Sequence, residues 1–257
     1  MITCNLIGGL GNQMFQIAAA HALSLRLGVK SIFNFNASRV ETQGHGANKY
    51  KDNIFKNVNN EDFNFNEFKV YRELGFKYDE LPLLDNLCLL GVFHSEKYFL
   101  DYRNEIIKLF NFEKNENERI KEFIANNIGD TSITGIHVRR GDYLNKPNFH
   151  PTCDLEYYTN AMGIINDKKY LVFSDDLNWC KENFKGEQFI FSPFTSEIDD
   201  LYLLVNCNNH IIANSSFSWW GAYLCENNNK VIAPKNWFGI HGPQDTQDVY
   251  INNWIKI

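Results

Sequence analysis

From residue 133 onward, short β-branched runs alternate with amphipathic stretches of helical length. No other feature of the chain constrains its fold as strongly. Strands are read at Ile133–Val138, Tyr170–Phe173, Phe189–Phe191, His210–Ala213 and Lys230–Ala233. Helices are read between them at Leu155–Ile165, Leu177–Phe184, Ile198–Cys207 and Phe217–Glu226. Short apolar runs bounded by turn residues suit buried strands. Consecutive β-α units then require a parallel sheet with helices on both faces. Ser196-Glu197-Ile198-Asp199 has the pattern of a capping box at one helix start. No fixed solenoid period is present.

The first half follows a similar plan less clearly. A strand, Ile2–Ile7, runs into Gly8-Gly9-Leu10-Gly11-Asn12-Gln13 and then a helix whose apolar stripe includes Phe15, Ala18, Ala19, Ala22, Leu23 and Leu27. Gly28 is placed to end it. A second strand is expected at Ser31–Phe35 and a third at Leu87–Phe93, with helices at Asn104–Phe110 and Glu116–Asn126. Asn36 to Leu81 is rich in Asn, Lys and Phe and yields no order. The polar Gly129-Asp130-Thr131-Ser132 divides the chain into expected domains at residues 1–130 and 131–257.

The net charge of −6 provides no general basic field for nucleic acid, so any polyanion site must be local. No apolar run is long enough to span a bilayer. The opening Met1-Ile2-Thr3-Cys4-Asn5-Leu6-Ile7 lacks the basic region and cleavage site of a secretory signal. Cys4, Cys88, Cys153, Cys180, Cys207 and Cys225 are scattered without a C-x-x-C pair. That pattern suits buried reduced thiols in a cytosolic protein rather than a zinc site. Asn214-Ser215-Ser216 matches a glycosylation acceptor by chance, since it lies in a turn that reads as packed.

The charged residues gather where these strands end. His137-Val138-Arg139-Arg140-Gly141-Asp142-Tyr143 closes the first strand of the second half. Strand alternation sends His137 and Arg139 to one face and Arg140 to the other. One arginine is then available to a phosphate, while a carboxylate such as Asp142 holds the other. Ser174-Asp175-Asp176 ends the next strand, where its carboxylates suit arginine orientation or helix capping better than a metal. Asn214-Ser215-Ser216 precedes another helix; its hydroxyls and free N–H groups suit either a phosphate or plain capping. Asp199 and Asp200 open a helix, where a carboxylate matches the N1–H and exocyclic amine of guanine or simply favours the helix start. The glycine loop at Gly8 fails the dinucleotide fingerprint, because Met14 stands where the third glycine belongs. Together these residues equip one sheet edge for a nucleotide bearing a pyrophosphate.

The segments Gly8–Gln16, Gly91–Phe99, His137–Tyr143, Phe173–Asp176 and Asn214–Leu224 resemble, in order and spacing, the motifs of the α-1,2-fucosyltransferases of glycosyltransferase family 11. Glutamine is usual in that family at the position of His94. The resemblance implies an α/β fold of the GT-B type, with two Rossmann-like domains whose parallel sheets face each other across a cleft. It implies inverting transfer of L-fucose from GDP-β-L-fucose to the 2-hydroxyl of a terminal β-galactoside, without metal or other cofactor. By similarity to more distant fucosyltransferases, Arg139 would clamp the β-phosphate, Ser216 would add a phosphate contact, and Asp200 would read guanine beside the main chain of His137. The implied donor side also takes in Ser174, Asp175, Asn214 and Ser215. Asp142 is the nearest candidate base, because Pro147 replaces the glutamate that some related enzymes carry ten residues after the motif histidine. The acceptor is expected at the N-terminal domain, near Gly9, Gly11, Asn12, Gln13, His94, Ser95 and Glu96. Bacterial members act in the cytoplasm, and peripheral contact with the inner membrane is compatible with that setting. Three rival readings are a GDP-sugar- or glycan-binding module without turnover, a fucosyltransferase of another linkage, and an NAD-dependent oxidoreductase. The intact Arg139, the missing signal peptide and the failed fingerprint argue against them in turn.

Overall fold

The computed structural model describes residues 1–40, 44–111, 114–128, 131–226 and 230–257. The chain forms two compact units. One comprises Met1–Phe112 and Pro243–Ile251, the other Glu113–Gly242 and Asn252–Ile257. The division thus falls ahead of the expected polar break, of which residues 129 and 130 lie outside the described residues.

In the first unit, β1 (Ile2–Cys4), β2 (Lys69–Arg72) and β3 (Leu87–Leu90) form a parallel sheet in the order β1-β3-β2. β1 is shorter than Ile2–Ile7 because the chain leaves β3 beyond Asn5 and bonds instead to Arg39. Ser31–Phe35 makes only isolated bridges, to Ile2 and Asn60, and no ladder. α1 (Leu10–Leu27) begins after the glycine loop and stops at Gly28, whose left-handed φ of 65° caps it. β3 ends at Leu90, short of Phe93, because the next amides turn to a carboxylate described below. α2 (Arg103–Leu109) completes the helices of this unit.

The second unit opens with α3 (Lys114–Ile128), which packs on α6 (Glu197–Val205). Arg119 of α3 pairs with Asp199 and lies 5.0 Å over the ring of Phe194, while Phe123 meets Phe194 edge-on. These contacts assign α3 to the second unit rather than the first. Then follow β4 (Ile133–Val138), α4 (Leu155–Ile165), β5 (Lys169–Ser174), α5 (Leu177–Asn183), β6 (Phe189–Phe191), α6, β7 (Asn209–Ile211), α7 (Ser216–Leu224), β8 (Lys230–Ala233) and β9 (Ile255–Lys256). All six strands are parallel, in the order β6-β5-β4-β7-β8-β9. Ile136, Val138, Val172, Ile211 and Ile232 of the sheet pack with Tyr158 and Ala161 of α4 in one core cluster. Every residue of β4 is buried, as an apolar strand at the centre of a parallel sheet must be. Trp219 and Trp220 of α7 are fully buried and belong to the core.

Candidate active site

The strand order of the second unit locates its ligand edge. Successive connections run outward from β4 through β5 to β6, then return to β7 and run the other way. In open parallel sheets, ligands sit outside the carboxyl ends of the strands at that reversal. The reversal falls between β4 and β7, so the residues at this edge are Arg139–Tyr143 and Asn214–Ser216.

Both arginines are held by carboxylates. Arg139 Nη2 donates to Asp142 Oδ1 at 2.8 Å, and Nη1 donates to Asp175 Oδ2 at 3.1 Å. Its guanidinium lies 5.3 Å over the Tyr143 ring. Its Nε is buried with no hydrogen-bond partner among the described residues. The Arg140 main-chain N–H donates to Asp175 Oδ1 at 2.9 Å, and its Nε donates to Asp176 Oδ2 at 3.0 Å over the face of Trp179. Asp142 therefore holds Arg139, the arginine expected at the phosphate, and not its neighbour Arg140. The tight helical turn from Asp142 to Asn145, closed by the Leu144 N–H on the Arg140 carbonyl, folds Asp142 back onto the residue three before it. An Asp142 bonded to Arg139 in this way positions the guanidinium and is not a free base. Asp176 also caps α5 through the Trp179 N–H, and Ser174 Oγ accepts the N–H of Asp176.

The start of α7 meets the same group. Ser215 stands at the N-cap, but its hydroxyl makes no capping bond, so ordinary serine capping is not its role. Ser216 opens the helix, half-buried. Asn214 is turned inward. Its Nδ2 donates to the carbonyls of Pro151 and Trp237, and its own carbonyl accepts the Tyr143 hydroxyl at 2.9 Å. Its amide therefore staples two loops instead of facing a donor. The His137 ring packs against Phe173 and Phe217, and its carbonyl accepts the Tyr158 hydroxyl. Burial, assisted by the Arg139 charge, pushes His137 down to about 3, so the ring is neutral.

Asp199 and Asp200 stand side by side in the first turn of α6, yet their environments differ. Asp199 pairs with Arg119. Asp200 accepts the Ser192 hydroxyl at 2.7 Å, and among the described residues no cation pairs with it. Burial, reinforced by Asp199 and Glu197 against the Ser192 bond, pushes it up to about 7.

In the first unit the glycine loop is built by two glutamines. Gln13 is fully buried and donates to the carbonyls of Gly8 and His45. Its amide thus holds the loop and does not face an acceptor. Gln16 accepts the Ile7 N–H and donates to the carbonyls of Ile7 and Gly91. Gly8 adopts a left-handed φ of 81°, and a side chain there would strike Asn12. The backbone at Gly44 passes over Gly9 so closely that a Cβ would come within 2.8 Å of the Gly9 Cα. Gly11 is buried in the first turn of α1. The half-buried Asn12 meets His94, its Oδ1 lying 3.0 Å from Nε2, and the His94 ring packs on Phe15 and Phe76. Ser95 caps the following turn through the Lys97 N–H. Burial raises the carboxyl of the half-buried Glu96. Gly9, Asn12 and His94 are brought together here; Gln13 supports them from behind.

Three contributors escaped the sequence reading. Tyr143 underlies Arg139, and His150 stacks on Tyr143 with ring centroids 4.5 Å apart. Glu73, just after β2, accepts the N–H groups of Val92 and Phe93 and so carries the loop that presents His94. Phe93 adopts a left-handed φ of 53°, a conformation that costs a non-glycine residue about 1 kcal/mol or more. No spacing rule links Glu73 to residues twenty positions away. Among the described residues no cluster of three or more His, Cys, Asp or Glu side chains could hold a metal ion, and no helix is long and apolar enough to cross a membrane.

A fixed guanidinium and a helix start thus stand at the switch point of a parallel sheet, where open α/β sheets hold their ligands. The family model of glycosyl transferase family 11 matches residues 1–257. The O-antigen biosynthesis glycosyltransferase WbnK of Escherichia coli is 30% identical over 98% of this chain and 100% of its own length. The alpha-1,2-colitosyltransferase of Escherichia coli is 31% identical over 100% and 99% respectively. Galactoside alpha-(1,2)-fucosyltransferase 2 of Bos taurus is 26% identical over 87% and 69%. Among solved structures, the fucosyltransferase NodZ from Bradyrhizobium superposes with a TM-score of 0.53 at 15% identity, covering 86% of this chain and 91% of its own. POFUT1 in complex with GDP-fucose gives 0.52 at 12% identity, covering 90% and 97%. These likenesses show the α/β fold of the GT-B type. The chain belongs to glycosyl transferase family 11 and is a glycosyltransferase.

Proposed function

We propose that this enzyme transfers L-fucose from GDP-β-L-fucose to the 2-hydroxyl of a terminal β-galactoside, with inversion and without a metal ion. The observation that carries the reading is Arg139, fixed between two carboxylates at the switch point beside the first turn of α7. As the glycosidic bond breaks, charge builds on the β-phosphate of the leaving GDP. A guanidinium makes forked bonds to those oxygens, and a helix start adds fixed positive dipole. Asp200 supplies the carboxylate for guanine, and the neutral His137 lies beside the base. Asn12, His94 and Glu96 offer polar groups to the acceptor.

The colitosyltransferase relative supports one second reading, in which the donor is GDP-colitose and the linkage is the same. The test is to incubate the purified protein with lactose and each GDP-sugar, with and without EDTA, and to determine product linkage. EDTA-insensitive formation of 2′-fucosyllactose supports the full proposal. Transfer from GDP-colitose alone selects the second reading. Loss of transfer with EDTA removes the metal-free mechanism. Binding of GDP-fucose without turnover on any acceptor of a β-galactoside panel identifies a binding module instead.

A further inference from the structure

Transfer to a hydroxyl releases a proton, and the carboxylates around Arg139 are already engaged. Asp142 and Asp175 hold Arg139, and Asp176 holds Arg140. Burial raises both the Tyr143 hydroxyl and the Cys153 thiol, the latter to about 12, so both keep their protons. Lys146 is a cation.

His150 differs from all of these. Its imidazole is stacked almost parallel on Tyr143, at 12° between planes. Phe149 meets it edge to face at 4.7 Å, and Phe238 flanks it at 5.4 Å. The loop that carries it is pinned from several sides. Gly239 N–H bonds the Phe149 carbonyl, His241 N–H bonds the Asn148 carbonyl, and Asn214 bonds the Pro151 carbonyl. The ring is half-buried, and its Nδ1 is sealed with no hydrogen-bond partner among the described residues. The charges that face it are Asp142, Lys146 and Arg139, and burial lowers the pKa of the ring from its ordinary value. Tyr143 joins it to the phosphate arginine: the Arg139 guanidinium lies 5.3 Å from the Tyr143 ring, and the imidazole stacks on that same ring.

We propose that His150 is the general base of the transfer, resting on the fucosyl-transfer reading above. The acceptor oxygen bonds to the anomeric carbon while the bond from that carbon to the β-phosphate oxygen breaks. The electron pair leaves with GDP, next to Arg139. The acceptor proton passes to His150 Nε2, and the imidazolium later returns it to water. Asp142 offsets part of what burial and the neighbouring cations cost that transient imidazolium. Imidazole suits this task because its ordinary pKa lies near neutrality.

The experiment compares the unmodified chain, His150→Phe and His150→Ala. Phenylalanine keeps the stack on Tyr143 and removes only the nitrogens. The readouts are kcat, the Kd of GDP and the thermal midpoint. His150→Phe is expected to lose about a hundredfold in kcat, the usual scale of general-base catalysis, while GDP affinity stays within about twofold. His150→Ala is expected to recover activity with added imidazole. A His150→Phe variant that retains a third or more of kcat overturns the proposal. So does a loss of kcat matched by a loss of GDP affinity, which would mean that His150 acts through Tyr143 on Arg139. An unmodified chain that releases no GDP from either donor in the presence of β-galactosides sinks the transfer reading and this proposal together.

Discussion

Asp175 holds Arg139 through one carboxylate oxygen, at 3.1 Å, while its other oxygen accepts the main-chain N–H of Arg140 at 2.9 Å. One side chain therefore fixes both the guanidinium and the backbone that carries it. Asp175→Asn keeps the shape and removes the charge. Transfer is expected to fall about tenfold in kcat/KM, on the scale of one charge-assisted hydrogen bond. Steady-state kinetics check it, and an unchanged kcat/KM would show that Asp142 alone suffices.

Arg139→Ala is expected to lose at least a hundredfold in kcat, the usual cost of removing one transition-state donor of about 3 kcal/mol. Arg139→Lys is expected to recover little of that, because an ammonium cannot reproduce a fork held by Asp142 and Asp175 on its two arms. Near-normal turnover in Arg139→Lys would remove this arginine from the phosphate site.

Asp200, pushed up to about 7, makes donor binding depend on pH. The carboxylate is the form that accepts two N–H groups from guanine, so GDP affinity is expected to rise from pH 5.5 to about pH 8 and then level. Calorimetric titration across that range checks it, and Asp200→Asn should flatten the curve. Stability moves oppositely. The folded pKa lies above the unfolded one, so the native state binds more protons between about pH 4 and pH 7. The contribution of this group to stability falls as pH rises through that window.

Gly221 lets α6 and α7 approach closely. A Cβ there would stand 2.2 Å from one Leu204 methyl group and 2.8 Å from its Cβ. Gly221→Ala is expected to cost about 1–3 kcal/mol through overpacking, lowering the thermal midpoint by several degrees in a chain of this size. Calorimetry checks it, and the Leu204→Ala background should relieve part of the loss.

Much of the second unit was legible because its strands are buried on both faces and its helices carry clear ends. β4, α4, β6 and β8 lie where the apolar runs placed them. β2 was not legible. Lys69, Val70 and Arg72 are exposed on an edge strand, so no buried face imprints an alternation on them. Ser31–Phe35 has strand composition but finds only single bridges, since pairing depends on partners remote in sequence. At the site, Arg139 stood out from its strand end. Its pairing with Asp142 did not, because that contact depends on the turn after Gly141. Gln13 and Asn214 looked like ligands for the same reason that they make good staples: a short amide in a glycine- or serine-rich turn bonds backbone as readily as substrate.

Neither unit is written as one uninterrupted length of chain. The segment from Pro243 to Ile251 returns to the first unit, where Asp248 accepts from Lys97 Nζ and from the Tyr78 N–H. Asn252–Ile257 then rejoins the second unit and adds β9 to its sheet. During synthesis neither unit holds all of these contacts until residues 243–257 have emerged. A chain cut anywhere ahead of Pro243 leaves two unfinished pieces, not one finished domain and one missing domain.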